Sequence, residues 1–173
     1  MPRQNGKKST KASRRPARKT GPAATTPGPA DRSAVLTRAQ LIDHLNRDLA
    51  REFQALVQYV QHAAVITGPQ YDAIAAELIV HSNEEHLHAL SLSQQIDFMG
   101  GTPTVDVAQV HVSQHAKTML EQDLEGELDA IARYRERIGQ AELLQEYGLR
   151  RALEDILIVE EEHARDLQNA LDL

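Results

Sequence analysis

The sequence predicts an all-α protein: a four-helix bundle with one long crossover between its second and third helices, behind a basic N-terminal tail. Three observations carry this. Four segments of nearly thirty residues keep apolar side chains at spacings of three and four. Gly-Pro and Gly-Gly breaks separate them, and one break, residues 100–112, is too long for a tight turn. A pattern of carboxylates, imidazoles and tyrosines recurs on the apolar faces themselves.

The first helix is expected to begin at Thr37, where Thr37-Arg38-Ala39-Gln40 has the form of a capping box. Leu41, Leu45, Leu49, Leu56 and Val60 carry its stripe until Gly68-Pro69 breaks it. The second helix is expected from about Gln70 to Phe98, with Ile74, Leu78, Leu92 and Met99 on one face and Gly100-Gly101 beyond its end. The stretch from Gly100 to about Val112 holds Pro103 and several β-branched residues without a helical stripe, so it is taken as the crossover. Ser113 is a candidate cap for a third helix running to about Gly139. The fourth helix covers roughly Glu142 to Ala170.

Charge divides the chain in two. Residues 1–30 contain eight Lys and Arg, five of the seven prolines and no acid. The remainder holds eleven basic residues against twenty-five acidic ones. A disordered basic tail over residues 1–33 and a folded acidic domain over 34–173 follow from this shift. Cysteine is absent, which excludes disulfides, thiolate metal sites and cysteine nucleophiles. Tryptophan is absent and aromatics are few, which disfavours a base-stacking surface for single strands. No apolar run is long enough to span a bilayer and no signal peptide is recognisable, so a cytoplasmic location is expected, nucleoid-associated if the tail binds DNA.

The second-helix face poses a problem of energetics. Between Leu78 and Leu92 it continues through His81, Glu85 and His88, and a buried carboxylate is costly unless paired, protonated or bound to a metal. The internal repeat supplies the reason. Glu52 and Tyr59 on the first helix are matched by Glu127 and Tyr134 on the third, and Glu85-x-x-His88 on the second by Glu160-x-x-His163 on the fourth. All four matches share one offset of 75 residues. Each helix thus aims one or two ligand-type residues at the bundle interior, and a Glu-x-x-His pair can reach one centre because its side chains lie a turn apart. Four carboxylates and two imidazoles suit two divalent cations, the ligand set of di-iron and di-manganese carboxylate bundles. Tyr59 and Tyr134 are either core tyrosines or outer partners of ligating carboxylates. Glu84, Glu161 and Glu162 are taken as surface charges, and His44, His62, His111 and His115 receive no role.

From about Leu41 to Leu173 the chain resembles bacterioferritins, through LNRDLAREFQALVQY, HSNEEHLHA, DLEGELDA with ERIGQAE, and ILIVEEEHARDLQNALDL. The resemblance implies a ferritin-like four-helix bundle and a ferroxidase centre holding two iron ions, with manganese or zinc as substitutes. It implies Glu85 and Glu160 as bridging carboxylates, Glu52 and Glu127 as outer carboxylates, and His88 and His163 as imidazole ligands. Tyr59 matches a tyrosine beside that centre. The family's haem-ligating Met is replaced here by His86, so haem of that kind is not expected. The sequence ends at Leu173, where bacterioferritins continue into a short fifth helix, which tilts the expected cage towards twelve subunits rather than twenty-four. The basic tail resembles those of Dps-like DNA-protecting mini-ferritins.

Three functions compete. The first is Fe2+ oxidation by O2 or H2O2 with storage of ferric product in a homo-oligomeric cage. The second is a dimanganese catalase-like or rubrerythrin-like peroxidase without mineral storage. The third, compatible with the first, is duplex DNA binding through residues 1–30. The tail has alternatives of its own, as a solubilising or targeting segment.

Overall fold

The computed structural model describes residues 36–172, so the predicted disordered tail lies outside the described residues. Four long helices make up the bundle: α1 (Arg38–Val65), α2 (Asp72–Phe98), α3 (Ala116–Leu143) and α4 (Tyr147–Ala170). At 1.5 Å per residue they run roughly 36–42 Å. α1 and α2 form one antiparallel hairpin, and α3 and α4 the other. The hairpins meet along α1–α3 and α2–α4.

Local chemistry sets most boundaries. The Gln40 N–H donates to Thr37 Oγ1 at 3.2 Å, and the Thr37 N–H donates to Gln40 Oε1 at 2.9 Å, closing the expected capping box. Gly68 adopts φ 128° ahead of a single 3-10 turn, Pro69–Tyr71. Past the end of α2, Gly100 takes φ 84°, a left-handed position that suits glycine, and the Gly101 N–H donates back to the Ile96 carbonyl. Gly101 is needed for room: a Cβ there would lie 2.6 Å from Ile42 Cγ2.

The crossover runs alongside α1 and is tied to it along its length. Asn46 Nδ2 donates to the Thr102 carbonyl, the Ala108 N–H to the Ala50 carbonyl, and the His111 N–H to Gln58 Oε1. These bonds satisfy backbone groups that an irregular segment would otherwise leave unpaired.

Four expectations need correction. Gly139 does not end the third helix, which continues one turn to Leu143, and α4 starts at Tyr147 rather than Glu142. The turn between them has Gln145 at φ 59°, with the Glu146 N–H on the Ala141 carbonyl; no Gly or Pro marks it. Ser113 does not cap α3. Its Oγ accepts from the His115 N–H, and His115 takes the N-cap position without a side-chain bond. Val60 is 49 % exposed, because the buried stripe of α1 has rotated onto Tyr59 and His62 by that turn.

The core is two apolar clusters rather than one. Leu41, Leu45, Leu49, Leu92, Ile96, Leu149 and Leu153 fill one end. Leu78, Leu120, Leu124, Ala164 and Leu167 fill the other. The six predicted ligands lie in the layer between them.

Candidate metal centre

The structure brings Glu52, Glu85, His88, Glu127, Glu160 and His163 together, all at most 5 % exposed. Their ligand atoms form two overlapping quartets, Glu52–Glu85–His88–Glu160 and Glu85–Glu127–Glu160–His163, each within 4.8 Å. Glu85 and Glu160 belong to both. His88 Nδ1 lies 3.3 Å from Glu85 Oε2, 3.2 Å from Glu160 Oε1 and 3.4 Å from Glu52 Oε2. His163 Nδ1 lies 3.1 Å from Glu85 Oε1, and 3.7 Å from both Glu160 Oε2 and Glu127 Oε1. Each shared carboxylate thus turns one oxygen to each imidazole.

The tyrosines cross the repeat. The Tyr59 hydroxyl on α1 donates to Glu127 on α3, and the Tyr134 hydroxyl on α3 donates to Glu52 on α1 at 2.6 Å. Burial, and the carboxylates beside them, raise both phenol pKa values well above 10, so they stay protonated and donate. Each outer carboxylate is therefore held by one oxygen.

A second buried layer repeats at the same offset. Asp48 accepts from Arg133 Nη1 at 2.9 Å and Arg137 Nε at 2.8 Å. Asp123, 75 residues on, accepts from Gln58 Nε2 at 2.9 Å and lies 2.9 Å from His62 Nδ1. Gln58 and His62 are themselves 75 residues before Arg133 and Arg137. Each aspartate sits one turn before an outer glutamate and fastens that turn to the opposite helix. His62, given no role from sequence, is a member of this clamp.

Glu84 is the other residue the sequence misplaces. Its Oε2 lies 2.8 Å from His163 Nε2, which fixes that ring with Nδ1 towards the centre. The residue that would serve His88 in the same way, 75 positions on, is Val159. The two halves of the centre are therefore chemically unequal. Glu161 and Glu162 are exposed, as expected, and so is His86.

The metal-free electrostatics follow from crowding. Burial, then Glu127 and Glu52, push the Glu85 carboxyl up to about 7. Burial, then Glu160, push Glu127 up to about 8. Burial also opposes ionisation of Glu52, but His88 and Arg133 outweigh it and hold this carboxyl at about 2. Burial opposes the charged form of His88; Glu160, Glu52 and Glu85 outweigh it and push the imidazole up to about 12. His163 is raised for the same reason, chiefly by Glu127, Glu160 and Glu85.

The donor set fits divalent metal. Glu52 Oε2, Glu85 Oε1, both Glu160 oxygens and His163 Nδ1 are buried without a hydrogen-bond partner among the described residues. Buried acceptors left this way are costly, and here they converge on common points. Mixed carboxylate and imidazole ligands suit iron, manganese or zinc. A cleft of about 320 Å³ between α1 and α3, lined by Gln54, Gln58, Gln122 and His111, leads to Glu52, Glu85, Glu127 and Glu160. No described helix is long and apolar enough to cross a membrane.

Fold and site together define a four-helix carboxylate protein with a buried, two-part candidate metal centre. The chain belongs to the ferritin-like family, whose domain model matches residues 42–173. It is 33% identical to a bacterioferritin of Brucella melitensis over 135 residues, 78% of this chain and 84% of that one. A bacterioferritin of Streptomyces coelicolor is 31% identical over 78% of this chain and 81% of its own. Among solved structures, a ferritin-like diiron-carboxylate protein from Bacillus anthracis superposes with TM-score 0.75 at 33% identity, covering 78% of this chain and 96% of that one.

Proposed function

We propose that this chain binds two Fe2+ ions at the buried centre, oxidises them, and serves iron storage as a subunit of a closed homo-oligomer. The observation that carries the reading is the pair of ligand quartets sharing Glu85 and Glu160, with unpartnered oxygens aimed between the imidazoles. Two Fe2+ held side by side supply the two electrons that reduce O2 to H2O2, or H2O2 to two waters, with two protons consumed in each case. Glu85 and Glu160 would bridge the ions. Glu52 with His88, and Glu127 with His163, would complete the two halves. The α1–α3 cleft gives Fe2+ and oxidant a polar route, and the buried location keeps ions from hydrolysing in bulk water. The bacterioferritin relatives and the diiron-carboxylate neighbour support iron over manganese.

Stopped-flow absorbance of ferric product after mixing Fe2+-loaded protein with O2 or H2O2 tests this. Glu85→Ala and Glu160→Ala should each slow oxidation beyond the roughly 10- to 100-fold loss typical of an outer partner. Unchanged rates in both would remove this site as the catalyst. Light scattering on the same preparation gives the subunit number, and a monomer or dimer would remove storage.

The tail carries a second activity in this reading, sequence-independent binding of duplex DNA. Eight basic residues without an acid can displace counterions from phosphates, and many tails on one particle act together. A gel shift on long duplex DNA at low salt is expected for the full chain, weakening steeply as salt rises. Deleting residues 1–30 should abolish it and leave iron oxidation intact. An equal shift by the truncated protein rules the tail out.

A further inference from the structure

We propose that Glu77, His81 and Asp166 form a third divalent-metal site, on the α2–α4 side of the bundle and separate from the buried pair. The three offer ligand atoms within 4.8 Å of one another. His81 Nε2 lies 3.8 Å from Glu77 Oε1 and 3.7 Å from Asp166 Oδ2. Those separations are too long for hydrogen bonds. They fall in the range of ligand atoms around one ion: bonds of about 2.1 Å put neighbouring ligands roughly 3.0–3.4 Å apart and opposite ones about 4.2 Å apart.

His81 is the observation that separates this cluster from an ordinary acidic patch. It is 2 % exposed, yet among the described residues neither ring nitrogen has a hydrogen-bond partner. Its ring is stacked on His163, centroids 4.1 Å apart, and Tyr59 meets it edge-on at 5.3 Å. Packing thus holds the imidazole in place while Nε2 faces the two carboxylates. A buried imidazole held this way with its hydrogen-bonding capacity unused is costly unless something occupies that direction.

The internal repeat provides a control. The residues 75 positions from Glu77, His81 and Asp166 are Ala152, Ile156 and Ser91, which together carry no ligand-type side chain. The cluster is therefore no by-product of the duplicated architecture. It occurs on one half only, beside His163.

One imidazole and two carboxylates suit Fe2+, Mn2+ or Zn2+ rather than Ca2+ or Mg2+. Glu77 and Asp166 are about half exposed, so the ion would keep water ligands and exchange readily with solvent. The site does not depend on the activity proposed for the buried centre.

Zn2+ is a redox-inert probe. Full-length protein is stripped of metal, then titrated with Zn2+ under equilibrium dialysis at neutral pH, with zinc counted per chain. Glu77→Gln/Asp166→Asn, which leaves the buried ligands and the His81 ring in place, should bind one ion fewer than the unsubstituted chain. Glu85→Gln/Glu160→Gln should lose the buried ions and keep the one at His81. If Glu77→Gln/Asp166→Asn binds the same number with the same affinities, the third site is overturned. If instead Glu85→Gln/Glu160→Gln is the variant that loses nothing, the buried centre fails and the third site stands.

Discussion

Adding Zn2+ to metal-free protein at pH 7.5 is expected to raise its melting temperature by about 10 °C or more and to release roughly two to four protons per chain. An ion at 100 times its Kd contributes about 2.7 kcal/mol, so two buried ions supply roughly 5 kcal/mol to a bundle of this size. The protons come from the centre itself. Metal ligands must be deprotonated. Without metal, the His88 and His163 rings are held protonated by the carboxylates, and Glu85 and Glu127 titrate near neutrality. Calorimetry in two buffers of different ionisation enthalpy counts the protons. A release near zero would mean that the ions bind elsewhere.

The same groups give the metal-free protein a definite pH dependence. His88 is raised from 6.5 to about 12, so its stabilisation is complete below pH 6.5 and declines as pH climbs towards 12. Glu85 and Glu127 are raised from 4.5 to about 7 and about 8, so the folded state binds more protons than the unfolded one across pH 4.5–8. Both effects make stability fall as pH rises through that window. Glu52 acts oppositely: its depressed value stabilises above pH 4.5, and that contribution is lost only as pH falls towards 2. Metal-free protein is therefore expected to melt highest near pH 5 and lower at pH 8. Metal-loaded protein should lose this decline, because ions replace the protons.

How much of this was legible in the sequence depended on whether a signal was periodic. The six ligands stood out because they lie on apolar stripes, where a carboxylate is conspicuous, and because all share the offset of 75. The four helices followed from the same stripes. The α3–α4 turn did not, because Gln145 takes a left-handed conformation that glycine normally marks, while Gly139 and Gly148 are both helical. Glu84 was hidden by its neighbour: beside Glu85 it resembles a solvated charge, and its partner His163 is 79 residues away on another helix. The aspartate clamps were within reach. Applying the offset to Asp48, Gln58 and His62 gives Asp123, Arg133 and Arg137, but only the aspartates are identical, so the repeat is one of position and hydrogen-bonding role rather than residue type. His81 was seen on the buried face, and nothing in the sequence indicated that its ring would stack on His163.

The clamp at Asp48 should be among the most sensitive positions for stability. Its carboxylate is fully buried and accepts from two guanidinium groups, of which Arg137 is 9 % exposed and Arg133 17 %. Asp48→Ala removes the buried acceptor that Arg133 and Arg137 share among the described residues, and leaves each guanidinium with a solvent-facing carboxylate alone, Asp129 for Arg133 and Glu136 for Arg137. Breaking a buried pair costs about 3–5 kcal/mol where a charge is left uncompensated; with these outer partners kept, the loss should be roughly 2–4 kcal/mol, or about 5–15 °C in melting temperature at fixed protein concentration. The cause would be two largely buried guanidinium groups left without their shared buried counter-charge. The triple variant Asp48→Leu/Arg133→Met/Arg137→Met should therefore recover much of the loss, since apolar replacement of a whole buried ionic cluster is often close to neutral. Iron oxidation should not recover with it. Arg133 is one of the charges that hold Glu52 ionised, and Glu52 lies one turn from Asp48 on α1. A single variant within 1 kcal/mol of the unsubstituted chain, or a triple variant as unstable as the single one, would show that the clamp does not anchor α1 to α3.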